Sequence, residues 1–178
     1  MIIITNRQSR HKVSPRRFKV LLEKLARRYR LRDPEVSLSF VGPERIRDLN
    51  RRYLKKNAPT DVLSFPLGEK AADGKYYLGD IVIAPEKAWR QSREKGHSLE
   101  QEMEILTVHG FLHLLGHDHS ARMEKEEAGI YRTLWRASRR KPATRRISPP
   151  GASPERRTKP KLSVQQKLGM GVLTRPKP

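Results

Sequence analysis

The apolar run Ile2-Ile3-Ile4 breaks after Thr5 at Asn6-Arg7, which predicts a short buried strand over Ile2–Thr5. Ser14-Pro15 then has the form of a helix start, a capping side chain followed by proline at the first helical position. Phe18, Leu21, Leu22 and Leu25 recur at helical spacing and carry that helix to about Tyr29. Val36–Val41 alternates apolar and polar, the pattern of a half-buried strand. Gly42-Pro43 breaks it and opens a second helix bearing Ile46, Leu49, Asn50 and Tyr53. Asp61–Pro66 and Tyr77–Ala84 are two more strand candidates, joined by a turn between Gly68 and Lys75. Pro85 opens a helix to about Lys95, and Gly96 stops it.

Ser98-Leu99-Glu100-Gln101 has the form of a capping box, so a further helix starts there, and its stretch Glu104–Val108 is apolar enough to be buried. A last helix follows Ser120, with Met123, Ala128, Ile130, Tyr131 and Leu134 on or near its buried side. About four strands and five helices make an α+β fold, a small mixed sheet packed with helices.

The pattern ends near Ser138. Residues 139–178 hold seven of the thirteen prolines, no aromatic residue, and 12 Lys/Arg against the single acid Glu155. Such a segment buries too little surface to offset ordering entropy, so two parts are expected: a folded domain over 1–138 and a basic, disordered tail over 139–178. The tail is either a solvated appendage or an arm for RNA.

The net charge of the 178 residues is +20, and both parts are basic, which points to a polyanionic partner. No apolar run approaches the roughly 20 residues that span a bilayer, and the first apolar run is too short for a signal-peptide core. A cytoplasmic protein with no membrane partner is the expectation. With no cysteine, any metal must be held by nitrogen and oxygen ligands.

Four of the six histidines fall in His109-Gly110-Phe111-Leu112-His113-Leu114-Leu115-Gly116-His117-Asp118-His119. Histidines four apart share a helix face, and Gly116 is placed to end the helix and let the chain bring His119 back toward the same point. Three imidazoles with a fourth position open are the layout of a catalytic zinc site, here at the end of one helix. Zinc so held lowers the pKa of bound water to about 7 and polarises carbonyl or phosphoryl oxygens, so the reaction class is metal-assisted hydrolysis.

His109, His113, Gly116 and His119 match the ligands and turn of the metzincin motif H-E-x-x-H-x-x-G-x-x-H, but Gly110 stands where that motif has its general-base glutamate. Glycine accepts no proton. Peptide hydrolysis by that mechanism is therefore unsupported, and the choice tilts toward a phosphodiester.

The same run resembles the signature of the YbeY family of bacterial endoribonucleases. Leu49-Asn50 with Tyr53, Pro59-Thr60-Asp61-Val62-Leu63-Ser64-Phe65-Pro66, and Leu78-Gly79-Asp80-Ile81-Val82-Ile83 agree with it in order and spacing. The resemblance covers roughly residues 1–138. It implies one Zn2+ per chain held by His109, His113 and His119, whose bound water is the catalytic group. It also implies single-strand-specific RNA cleavage, maturation of the small-subunit rRNA 3′ end, ribosome quality control, and partners among ribosomal proteins or an assembly GTPase. Two alternatives stay open: an rRNA-binding assembly factor in which zinc organises the fold without catalysis, and a metal hydrolase of another substrate.

One departure is that the family usually has arginine, tied to RNA handling, where this chain has Leu54. Arg51, Arg52, Lys55 and Lys56 flank that position and are the candidate phosphate contacts. Asp118 either orients a ligand imidazole or caps the last helix, and His117 is expected to be a non-ligand. Asp80 is expected in a turn role. Thr60, Asp61 and Ser64 either face the metal cleft or satisfy backbone groups where loop becomes strand.

Overall fold

In a computed structural model of the protein, residues 1–70, 76–138 and 171–172 are described. The elements run β1 (Ile2–Asn6), α1 (Pro15–Arg28), β2 (Pro34–Phe40), α2 (Pro43–Leu54), β3 (Val62–Lys70), β4 (Tyr76–Ile83), α3 (Pro85–Lys95), α4 (Leu99–Leu114) and α5 (Ala121–Ser138). The sheet has the order β1-β2-β4-β3, parallel except for the antiparallel pair β3–β4. The two-residue segment β5 (Gly171–Val172) lies parallel to β3 beside Leu63 and Ser64. The rest of the expected tail falls outside the described residues.

The alternation read in Val36–Val41 decides what each face of the sheet carries. Val36, Leu38 and Phe40 are buried, while Ser37 and Ser39 between them are only half-buried and point to the other face. On the first face the core is built by Phe18, Leu22 and Leu25 of α1, Ile81 and Ile83 of β4, Met103, Leu106 and Phe111 of α4, and Met123 and Ile130 of α5. On the second, α2 packs Ile46 on Leu63, Phe65 and Val82, with Leu49 and Leu54 at its margin. The sheet is thus fully covered on one side and partly on the other.

Three local expectations change. β1 is an edge strand, so Ile3 is exposed and the run is not buried throughout. Ser14 takes the N-cap position of α1, yet its side chain makes no capping bond. Ala128 is exposed on α5.

β3 and β4 meet at a bulge between Pro66 and Glu69, and Gly79 sits opposite it at φ +134°. A Cβ on Gly79 would lie 2.1 Å from the Phe65 carbonyl oxygen and 3.1 Å from Leu114 Cδ2. Both the backbone conformation and the space demand glycine. Gly79→Ala is therefore expected to cost roughly 3–5 kcal/mol and lower the melting temperature by about 10 °C or more, as thermal unfolding followed by circular dichroism will show. Gly116→Ala, at φ +82° but in open space, should cost only about 1 kcal/mol.

Candidate metal centre

α4 begins on the predicted capping box. Ser98 Oγ accepts from Gln101 N at 3.2 Å, and Gln101 Oε1 accepts from Ser98 N at 3.1 Å. From Leu106 to Leu114 every residue is buried, because the helix is wrapped by the sheet and by α1, α3 and α5. Gly110 lets it seat closely: a Cβ there would lie 2.9 Å from Ile81 Cγ2 and 3.0 Å from Ser64 Oγ. The glycine that removes a protease base from the motif is also a packing requirement.

The helical repeat sets the His109 and His113 rings 4.5 Å apart. Leu115 ends the helix, Gly116 takes its left-handed turn, and His117 N donates back to Leu112 O at 3.1 Å. This reversal puts the His119 ring 4.5 Å from His113 and 5.2 Å from His109. One ring nitrogen from each of the three lies within 4.8 Å of the others. His109 and His113 are buried and His119 is exposed, so the centre opens to solvent on one side.

Two further contacts decide which nitrogens face inward. His109 Nδ1 donates to Glu127 Oε1 at 2.7 Å, and His113 Nδ1 donates to the His117 carbonyl oxygen at 2.7 Å. With Nδ1 of each ring bonded outward, the two Nε2 atoms face inward and stand 2.9 Å apart. Burial, then repulsion from the neighbouring histidines, pushes the His113 pKa down to about 4, so this ring is unprotonated at neutral pH. Three converging ring nitrogens suit a cation, and an all-nitrogen donor set of three imidazoles fits a transition metal.

Glu127 was not singled out in the sequence, although it left a trace there. It lies between Met123 and Ile130 at helical spacing, an acid on an apolar stripe that needs a partner to be buried. The orienting role considered for Asp118 falls to Glu127. Asp118 is exposed, bonds no imidazole, and acts on His113 only through its charge. Nor does Asp118 cap α5, since Ser120 Oγ accepts from Met123 N at 3.4 Å.

Arg51, Arg52, Lys55 and Lys56 are exposed at the end of α2, on the sheet face opposite α4, and touch none of the three imidazoles. Arg51 pairs with Asp48 at 3.1 Å, and Lys55 ends the helix at φ +60°. Leu54 is partly buried against the second core, an apolar duty at that position. Asp61 is buried and accepts from Val62 N, Thr60 Oγ1 and Gln91 Nε2, so it organises the entry to β3. Ser64 is buried against Gly110. Asp80 is not in a turn; it stands within β4, paired across the sheet with Ser37 and Phe65.

The family model described as Endoribonuclease YbeY matches residues 3–134. The chain belongs to this family. The matched span contains all three histidines and Glu127. An Endoribonuclease YbeY from Aquifex aeolicus (strain VF5) is 50% identical over 97 residues, covering 54% of this chain and 64% of the relative. One from Carboxydothermus hydrogenoformans is 53% identical over 97 residues, with the same coverage of each. The chain thus spans slightly less than two thirds of the length of these curated YbeY relatives. The solution structure of TM1509 from Thermotoga maritima superposes with a TM-score of 0.54 at 28% identity, covering 80% of this chain and 94% of that one.

Loss of the Glu127 carboxylate should loosen the His109 ring. Glu127→Ala is expected to weaken metal binding by roughly 10–100-fold in a competitive chelator titration, with Glu127→Gln, which keeps an acceptor, losing less. The depressed His113 pKa also has a stability consequence. The unfolded chain takes up the proton near pH 6.5 and the metal-free native state only near pH 4, so stability falls as pH drops through that window. Unfolding free energies of metal-free protein from urea titrations at pH 7 and pH 5 should differ by about 1–2 kcal/mol from this residue, and His113→Gln should remove that part.

Proposed function

We propose that the protein is a metal-dependent endoribonuclease that cuts single-stranded RNA, with zinc as its ion and the 3′ end of small-subunit rRNA as its substrate. The observation that carries this reading is the convergence of one ring nitrogen each from His109, His113 and His119 at a solvent-open point, in a chain whose net charge is +20. Family membership supports the same reading, because relatives matched over this segment are named endoribonucleases. The role in ribosome quality control, the cytoplasmic location, and ribosomal proteins or an assembly GTPase as partners belong to this proposal.

His109, His113 and His119 would hold the ion, which when bound supplies Lewis acidity toward a phosphoryl oxygen and activates water near neutral pH. The chain's own residues do the rest. Glu127 and the His117 carbonyl hold the Nδ1 protons of His109 and His113, which fixes ring orientation and keeps each Nε2 available. Gly110 places no carboxylate at the protease-base position, so an electrophile with its own anionic oxygens suits the centre better than a peptide. His119 is exposed, so the centre is reachable from solvent on that side. Basic side chains raise the local concentration of a polyanion and screen the charge of the backbone being cut.

Single-turnover cleavage of a defined single-stranded rRNA fragment tests the proposal, comparing metal-loaded protein, chelated protein and His113→Ala. Both losses of metal should slow cutting by roughly two orders of magnitude or more while RNA binding persists. Equal cutting in all three preparations would mean that a contaminating nuclease is responsible. Binding without cutting in any of them would leave an assembly factor.

A further inference from the structure

The sheet face opposite α4 carries a groove. Between α2 and the ends of β1 and β2, a groove of about 180 Å³ is floored by Ser37, Asp80 and Val82, walled by Tyr53 and Phe65, and rimmed by Arg7 and Arg45. We propose that this groove is a guanine-binding subsite for single-stranded RNA, an inference that rests on RNA being the substrate.

Four observations lead there. First, the groove is smaller than the roughly 300–1,000 Å³ of sites that enclose a whole cofactor, so it takes one ring system of a longer molecule. Second, Tyr53 is 42% exposed while its ring meets Phe65 edge-on at 5.0 Å, which anchors the tyrosine and leaves it surface for a base to stack on. Third, Ser37 and Asp80 are direct partners across β2 and β4 and share this face, so a hydroxyl and a carboxylate stand side by side on the floor. Fourth, among the described residues neither of them, nor Arg7 or Arg45, is hydrogen-bonded or ion-paired through its side chain.

A carboxylate accepts two adjacent donors, and among the four bases only guanine offers two on its pairing edge, N1–H and the N2 amine. Its O6, next along that edge, accepts from the Ser37 hydroxyl. Arg7 and Arg45 then meet the flanking phosphates, where guanidinium is well suited. The pairing edge is free only in an unpaired nucleotide, which agrees with a single-stranded substrate.

The test is equilibrium binding to full-length, metal-loaded protein of an eight-nucleotide RNA with one guanosine, against the same strand carrying inosine, which lacks the N2 amine. Strands are checked for integrity afterwards. Wild type should prefer guanosine by about tenfold. Asp80→Asn should abolish the preference, and Ser37→Ala should lower affinity for both strands. The double variant Arg7→Gln/Arg45→Gln should keep the preference but flatten the slope of log affinity against log salt by about 1.4, two phosphate contacts at about 0.7 each.

No guanosine preference in wild type, or a preference unchanged in Asp80→Asn with normal melting, overturns the subsite. RNA binding unaffected in every variant also overturns it, and would leave the groove to a protein partner. Should Asp80→Asn fail to fold, Ser37→Ala and the arginine pair decide. None of these readouts needs cleavage. Binding through Asp80 without cutting refutes the nuclease alone, and cutting without guanosine preference refutes the subsite alone.

Discussion

Every residue of α4 from Leu106 to Leu114 is buried, His109 and His113 included, so the architecture is built around this helix. The sheet covers it at Ile81 and Ser64, where Gly110 permits close contact, and α1, α3 and α5 enclose the remainder. A helix held this tightly cannot rotate or slide, so the two imidazoles on it are fixed in space. Flanking polar contacts pin the same helix. Arg17 of α1 bonds Glu104 at 2.7 Å, and the fully buried Glu102 meets Lys95 at 2.8 Å and also His97. A buried carboxylate without those two partners would be costly.

Chemistry is placed where that rigidity ends. His109 and His113 lie in the last turns of the buried helix, and His119 follows a glycine turn into solvent. The site therefore combines two candidate ligands set by packing with one set by a turn. Glu127 links it to α5, whose Met123 and Ile130 belong to the main core, so even the orienting carboxylate is held by hydrophobic burial. The opposite face of the sheet is organised differently. There α2 covers only part, and the uncovered strip of Ser37 and Asp80 keeps polar groups at a groove rather than in a core.

Much of this was legible in the sequence, and the reasons are local. The helix openings at Pro15, Pro43 and Pro85, the stop at Gly96 and the capping box at Ser98 all rest on interactions within a few residues. The i, i+4 histidine pair with a following glycine is of the same kind. Misreadings arose where the deciding neighbour is distant. Ile3 looked buried because its own run is apolar, but β1 lies at the sheet edge. Asp80 looked like a turn residue because it follows Gly79, yet that glycine serves a bulge inside the sheet. Asp118, beside His119, is placed to orient an imidazole or to cap α5 and does neither, while the acid that reaches His109 is 18 positions from it in the chain.

The sequence alone determined the element order, the family-like run of histidines and the direction of the charge, because periodicity, capping and ligand spacing are short-range properties of the chain. Only the tertiary structure decided which acid orients His109, which carbonyl holds His113, why Gly110 has to be glycine, and which polar side chains share the uncovered face with Asp80. Those facts depend on how α4 and α5 meet and on the register of β2 against β4. Contacts between residues far apart in the chain are set by packing, and no local pattern encodes them.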